Sequence, residues 1–158
     1  MSSYLMIKAK PKSCVDKEYS NYPVLLCLCT SPARELAADI DLPFTIPRDG
    51  EEDESVWKAL SNEKLAEIID YYNNEIKAHE NILNEYNEQY AQYIHITQTS
   101  KNTAFCKSIL KEDMPELKDR IEWLKKEIEN LKYLKDKFLF VSNILNENEE
   151  FDLVYYLD

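Results

Sequence analysis

The chain has 158 residues, of which 44% are hydrophobic, so it is long and apolar enough to fold as one domain. Its formal net charge of −11 disfavours direct binding to nucleic acids or anionic membranes, because such binding depends on lysine and arginine. Its single glycine, Gly50, excludes the glycine-rich loops that hold nucleotide phosphates.

The N-terminal sequence MSSYLMIKAK has too short an apolar run for a signal peptide, and no run approaches the length of a transmembrane helix. The four cysteines, without a secretory signal, are typical of reduced thiols. We therefore predict a cytoplasmic protein.

Alternating hydrophobic residues predict strands near both ends of the chain. Leu5, Ile7 and Ala9 share one side of residues 3–10, and the tail EFDLVYYLD alternates in the same way. Charges of opposite sign would attract across these strands. They are Lys8, Lys10 and Lys12 on the first and Glu149, Glu150, Asp152 and Asp158 on the last. The two strands should therefore lie side by side in a small sheet.

Residues 22–30 would add a third, buried strand to this sheet, although so short an apolar run also fits a helix. A short helix should start at Ser31 and Pro32, because these residues are typical of a helix cap and first turn. Residues 41–54 then form an extended connection, which leads into an acidic loop at 49–56.

Hydrophobic residues at alternating spacings of four and three predict a long helix of coiled-coil type over residues 65–97. They are Leu65, Ile69, Tyr72, Ile76, His79, Leu83, Tyr86, Tyr90, Tyr93 and Thr97. A second series, from Leu117 to Leu145, predicts another long helix that starts near Asp113 and Pro115. Two such helices joined by a short connection should pack antiparallel as a hairpin.

The predicted fold class is therefore α+β and mostly α, in a single domain. A helical hairpin over residues 57–146 follows a base of strand and short helix at residues 1–48. The strand at residues 150–158 completes the sheet. Tyr86, Tyr90 and Tyr93 continue the hydrophobic seam, so we interpret them as packing residues rather than as an aromatic platform for a ligand. Their hydroxyl groups need polar partners, which predicts a looser and wetter packing at that end of the hairpin.

The residues that most often carry chemistry form no coherent set. His79 and His95 fit neither the HExxH zinc pattern nor the di-iron ExxH pattern, and His79 falls on the seam. Cys27 and Cys29 lack the second pair of ligands of a structural zinc site, so we interpret them as small buried residues. We therefore predict no enzymatic activity, no cofactor and no metal site.

The negative charge is concentrated in three segments. Residues 49–64 have a net charge of −4, and residues 65–98 and 147–158 each have −5. Such clusters can steer a partner with a basic surface. The candidate partner-binding residues are Glu51, Glu52, Asp53, Glu54, Glu67, Asp70, Glu85, Glu88, Glu149 and Glu150.

Two functional hypotheses remain open. The first is an acidic protein–protein interaction module; in its sharpest form it is a phage-type inhibitor that mimics DNA charge and blocks a basic nucleic-acid-binding protein. The alternative is a structural module in which the helical hairpin self-associates as a homodimer or a bundle.

Overall fold

A computed structural model describes residues 4–13, 22–29, 31–45 and 57–158. The acidic loop predicted at 49–56 lies entirely outside these ranges. The elements, in chain order, are β1 Tyr4–Pro11, β2 Val24–Cys29, α1 Ser31–Ile40, β3 Lys58–Leu60, α2 Asn62–Thr99, α3 Thr103–Ser108, a π-helical segment Ile109–Asp113, α4 Met114–Glu147 and β4 Phe151–Leu157. In the part of the chain that the structure describes, no helix combines the length and hydropathy needed to cross a membrane.

Tertiary contacts divide the chain into two compact units. The first unit comprises Met1–Tyr71 and Lys135–Asp158, and the second comprises Tyr72–Leu134. The long helices α2 and α4 each contribute residues to both units. The predicted fold class is confirmed: long helices dominate, and a small sheet joins strands from the two ends of the sequence.

The sheet of the first unit is antiparallel, in the strand order β2-β1-β4-β3. The predicted pairing of the terminal strands is confirmed, since Asp158 donates its backbone N–H to Tyr4 O at 3.1 Å. At the other end of the pair, Lys12 donates to Glu150 O at 2.8 Å. Lys10 lies opposite Asp152 in this register, so one of the expected opposite charges does meet across the strands.

One face of the sheet forms the core of the first unit. Leu5 and Ile7 are at most 1% exposed, and their partners Leu28 and Leu26 on β2 are equally well buried. Helix α1 contributes its apolar face, and Tyr71 of α2 donates a hydrogen bond to Asp39 of α1 at 2.7 Å. The remaining helical core residues are Ala33, Leu36, Ala37, Ile40, Leu65, Ile68, Phe138 and Val141. The alternation seen in the sequence is thus the burial pattern of this sheet.

Strand β2 corrects the prediction of a fully buried third strand. It lies at the edge of the sheet, and its burial alternates: Leu26 and Leu28 face the core, whereas Val24, Cys27 and Cys29 are exposed. The apolar run VLLCLC is therefore a half-buried edge strand.

The segment before α2 corrects the predicted hairpin boundary at residue 57. Lys58–Leu60 forms the short strand β3, which pairs with β4. Thr45 also binds β4, because it donates its backbone N–H to Leu157 O at 3.0 Å and accepts from Leu157 N at 2.9 Å through Oγ1. Close by, the hydroxyl of Tyr155 donates to Pro43 O at 3.0 Å. Residues 43–45, predicted as an extended connection, thus cover the β4 edge that β3 is too short to reach.

In the second unit, α2 and α4 form the expected antiparallel pair. Lys132 of α4 lies 3.4 Å from the carboxylate of Glu80 on α2. Burial is uneven along α2: Tyr72 and Ile76 are buried, whereas Tyr86, Tyr90 and Tyr93 are half-buried. This gradient agrees with the interpretation of the tyrosines as seam residues, which stays a prediction. The facing residues of α4 are buried, namely Leu117, Ile121, Leu124 and Ile128.

The two phenylalanines of α4 provide a matched test of the core. Phe138 is 0% exposed and Phe140 is 55% exposed. We expect Phe138→Ala to destabilise the protein by about 3–5 kcal/mol, because it leaves a cavity. Phe140→Ala should change the stability by roughly 0.5 kcal/mol or less. Urea unfolding followed by circular dichroism measures both, and equal effects would contradict the assigned orientation of α4.

The tyrosine seam can be tested in the same way. Replacing Tyr86 and Tyr90 together by serine removes two half-buried rings from the pair of helices. We expect a loss of about 1–3 kcal/mol in total, because each ring loses part of its buried apolar area. The control Asn87→Ser lies on the exposed side of the same turn. An unchanged melting temperature of the double variant would show that the tyrosines do not stabilise the hairpin.

Candidate interaction surfaces

Ten carboxylates were predicted to contact a partner, and the structure describes six of them. Glu51, Glu52, Asp53 and Glu54 lie outside the described residues. The other six are all exposed, and they fall into three pairs along the sequence.

The first pair, Glu67 and Asp70, lies one turn apart on the part of α2 that belongs to the first unit. Glu67 accepts a hydrogen bond from Lys64 Nζ at 3.0 Å, and the same ammonium donates to Ile40 O at 2.8 Å. Lys64 thus joins α2 to the end of α1 and neutralises Glu67. Asp70 lines a cleft of about 240 Å³ between α2 and the last turns of α4.

The second pair, Glu85 and Glu88, lies on α2 within the second unit. Both side chains are exposed, whereas Tyr86 and Tyr90 of the same turns are turned towards α4. Among the described residues, neither carboxylate has an ion-pair partner within 4.0 Å. This pair therefore has an unneutralised charge on a helical surface that contributes nothing to the core.

The third pair, Glu149 and Glu150, forms the turn that precedes β4. The backbone carbonyl of Glu150 accepts from Lys12 N, so the turn is fixed to the end of β1. Both carboxylates point into solvent, and in the described part of the chain neither forms an ion pair. Glu149 also lines an open cleft of about 810 Å³.

This large cleft has an apolar floor and a rim of both charge signs. Leu60, Leu145 and Leu153 lie in the floor, and the charged rim residues are Lys10, Lys12, Glu149 and Asp152. It adjoins the smaller cleft of Asp70, because Asn62, Leu145 and Asn146 line both. The structure thus places Asp70 and Glu149 along one groove of the first unit, but it adds two lysines that the predicted acidic surface did not include.

The outer face of the sheet is rich in aromatic residues. Lys8 Nζ lies 4.9 Å from the ring centroid of Trp57 and is held in a cation–π contact. The ring of Tyr156 lies 5.6 Å from Trp57 and 5.3 Å from Tyr4. Burial, followed by the nearby Tyr4 and Asp158, raises the pKa of Tyr156 above its ordinary value. The sequence alone does not indicate that Trp57 covers this face.

The cysteines of β2 require a correction. They were interpreted as small buried residues, but Cys27 and Cys29 are both exposed on the outer face of the edge strand. Burial raises the pKa of the Cys27 thiol, and the neighbouring Cys29 raises it further, whereas the charge of Lys137 lowers it. Both thiols are accessible from solvent.

The two histidines of α2 differ in burial. His79 is half-buried in the seam, where its Nδ1 donates to Glu75 O at 2.7 Å and lies 3.9 Å from the Glu75 carboxylate. His95 is exposed. Across residues 4–13, 22–29, 31–45 and 57–158, no three histidine, cysteine or carboxylate side chains form a group that could hold a metal ion. A structural role for His79 agrees with its hydrogen bond.

Comparison with protein-family models gives no match to this chain. Neither a curated protein sequence nor a solved structure matches it. What the protein binds must therefore be inferred from its own residues and their geometry.

Proposed function

We propose that the protein is a non-enzymatic, cytoplasmic interaction module whose acidic surfaces bind a basic protein. The observation that supports this proposal most strongly is the state of its carboxylates. Asp70, Glu85, Glu88, Glu149 and Glu150 are exposed, and in the described part of the chain they form no ion pair. Their charge is available to a partner.

The repulsion between Glu85 and Glu88 opposes folding slightly. Like charges one helical turn apart repel each other, by a few tenths of a kcal/mol in exposed helices. Glu85 and Glu88 form such a pair, without a compensating lysine in the described residues. A basic partner that neutralises these carboxylates removes the repulsion, which favours binding. The electrostatic field of several carboxylates also accelerates the encounter with that partner.

The more specific form of the proposal is mimicry of a nucleic acid. Glu85 and Glu88 are separated by about 4.5 Å along the helix axis. One strand of double-helical DNA carries a charge about every 3.4 Å along its axis. A helix with such closely spaced carboxylates therefore suits a basic groove that otherwise binds phosphates. The partner class is a nucleic-acid-binding protein, and occupation of its groove would inhibit it.

The test is capture of partners from a lysate of the source organism on immobilised wild-type protein and on Glu85→Gln/Glu88→Gln. The matched control is Glu122→Gln/Glu129→Gln, which changes the net charge equally at exposed positions of α4. We expect a protein with a basic surface to bind wild type and control. The loss of two surface ion pairs, at about 0.2–1 kcal/mol each, should weaken its binding to the first variant by roughly 2- to 30-fold.

The salt dependence of binding tests the acidic-surface proposal, and the release of nucleic acid from the partner tests mimicry. Binding should weaken steeply as the salt concentration rises, and the captured protein should lose its bound nucleic acid on addition of the module. A partner that binds both variants equally and is insensitive to salt would contradict the acidic-surface proposal. A partner that obeys the salt dependence but keeps its nucleic acid would contradict mimicry alone.

A second candidate function, self-association, is favoured by exposed apolar residues in the second unit. Phe105 and Leu110, on α3 and the π-helical segment, are 50% and 55% exposed, and Trp123 and Tyr133 of α4 are both 59% exposed. The nearby seam is only half-buried at its tyrosines. Such side chains could be covered by a second copy of the same unit.

Sedimentation at increasing protein concentration tests this alternative. If the second unit self-associates, wild-type protein should form a dimer, and Phe105→Ser/Leu110→Ser should remain monomeric because it removes two apolar contacts. The control Val24→Ser changes an equally exposed apolar residue in the first unit and should still dimerise. A wild-type protein that is monomeric at high concentration would eliminate self-association as the function.

A further inference from the structure

Three soft sulfur atoms lie on the outer face of the sheet, at its β2 edge. In the register of β1 and β2, Met6 is directly opposite Cys27, and Cys29 is two residues further along the same strand. Because directly opposite residues share a face of the sheet, the thioether and both thiols point to the same side. The core-facing neighbours Leu5, Leu26 and Leu28 confirm this orientation, because all three are at most 3% exposed.

The hydrogen-bond pattern brings the sulfurs closer still. Ala9 donates its backbone N–H to Pro23 O, so the odd-numbered residues of β1 bind β2. The even-numbered residues bind β4, as shown by Lys12 and Tyr4. Met6 and Cys27 therefore form a non-hydrogen-bonded pair, the type in which the Cα atoms are only about 4.5 Å apart and the side chains are nearest.

We propose that Cys27, Cys29 and Met6 form a binding site for a soft monovalent metal ion, Cu⁺. Thiolate and thioether donors select this ion, because soft ligands prefer soft metals. Two thiolates and one neutral thioether satisfy an ion that needs few ligands. Zn²⁺ is a poorer match, since its structural sites take four tetrahedral donors from Cys, His or carboxylates.

Binding of the ion exchanges protons with solvent. It releases the thiol protons, and a Cu⁺ ion held by two thiolates has a net charge of −1. The exposure of both cysteines leaves a path for the ion to enter from solvent.

A disulfide between the two cysteines is a weaker account of their proximity. Residues two apart on a strand have Cα atoms separated by about 6.6 Å. This is near the upper limit of about 6.8 Å for a disulfide, so closing one would distort the edge strand. A metal ion bridges the two sulfurs over a longer distance, and it also uses Met6, for which a disulfide has no role.

The experiment is an anaerobic titration of the reduced full-length chain with Cu⁺ against a coloured Cu⁺ chelator. The background is Cys14→Ser/Cys106→Ser, which removes the other two thiols. We expect one Cu⁺ per chain. Cys27→Ser and Cys29→Ser each remove a direct ligand of the ion. Each should therefore weaken Cu⁺ binding by more than roughly 10- to 100-fold, which is the effect of losing a residue that only hydrogen-bonds to a metal ligand. X-ray absorption at the copper edge should count three sulfur ligands.

Met6 distinguishes the folded site from any pair of neighbouring thiols. Met6→Leu keeps the size of the side chain and should reduce the count to two sulfur ligands, whereas the control Met114→Leu should keep three. Circular dichroism verifies that each variant is folded. The proposal is overturned if Cu⁺ binding is absent, if it is unaffected by Cys27→Ser and Cys29→Ser, or if wild type and Met6→Leu both show two sulfur ligands.

Discussion

The antiparallel pairing of β1 with β4 is the constraint on which the first unit depends. This pairing joins strands from opposite ends of the sequence, so it reduces the conformational entropy of the long chain between them. That loss is compensated only when both strands also bury their inner face. Leu5, Ile7 and Leu157 are at most 1% exposed on that face. The pair is the centre of the sheet, with β2 added on one side and β3 on the other. The short helix α1 and parts of α2 and α4 complete the core of the same unit.

This central pair also determines which side chains are left for binding. Since successive residues of a strand alternate between faces, a register that buries Leu5 and Ile7 must place Met6 and Lys8 on the outer side. The same alternation on β2 exposes Cys27 and Cys29. The packing of the sheet therefore determines where Met6, Cys27 and Cys29 lie. The core does not require that these residues carry sulfur. Alanine or threonine at these exposed positions would satisfy the same sheet.

Periodicity predicted most of the elements, because the helices and terminal strands bury one face each and the sequence records this burial directly. It missed β3, since three residues are too few to show an alternation. It also missed the contacts of Thr45, in which a backbone N–H and one hydroxyl group both bind Leu157. It also misread Cys27 and Cys29, because an apolar run does not reveal whether a strand lies at the centre or at the edge of a sheet. The candidate carboxylates were predicted from the three segments in which negative charge is concentrated, but the lysines beside Glu149 come from a part of the chain distant in the sequence.

The tyrosine seam and the acidic surface of α2 are linked by one sequence pattern. Each turn of α2 that places Tyr86 or Tyr90 against α4 places Glu85 or Glu88 on the opposite side. Because the half-buried tyrosines contribute less packing energy than Tyr72 or Ile76, this part of the helix tolerates little additional repulsion. The unneutralised carboxylates Glu85 and Glu88 thus lie where packing energy compensates least for their repulsion. A basic partner that neutralises Glu85 and Glu88 would therefore also stabilise the looser part of the hairpin, so binding and local order would increase together.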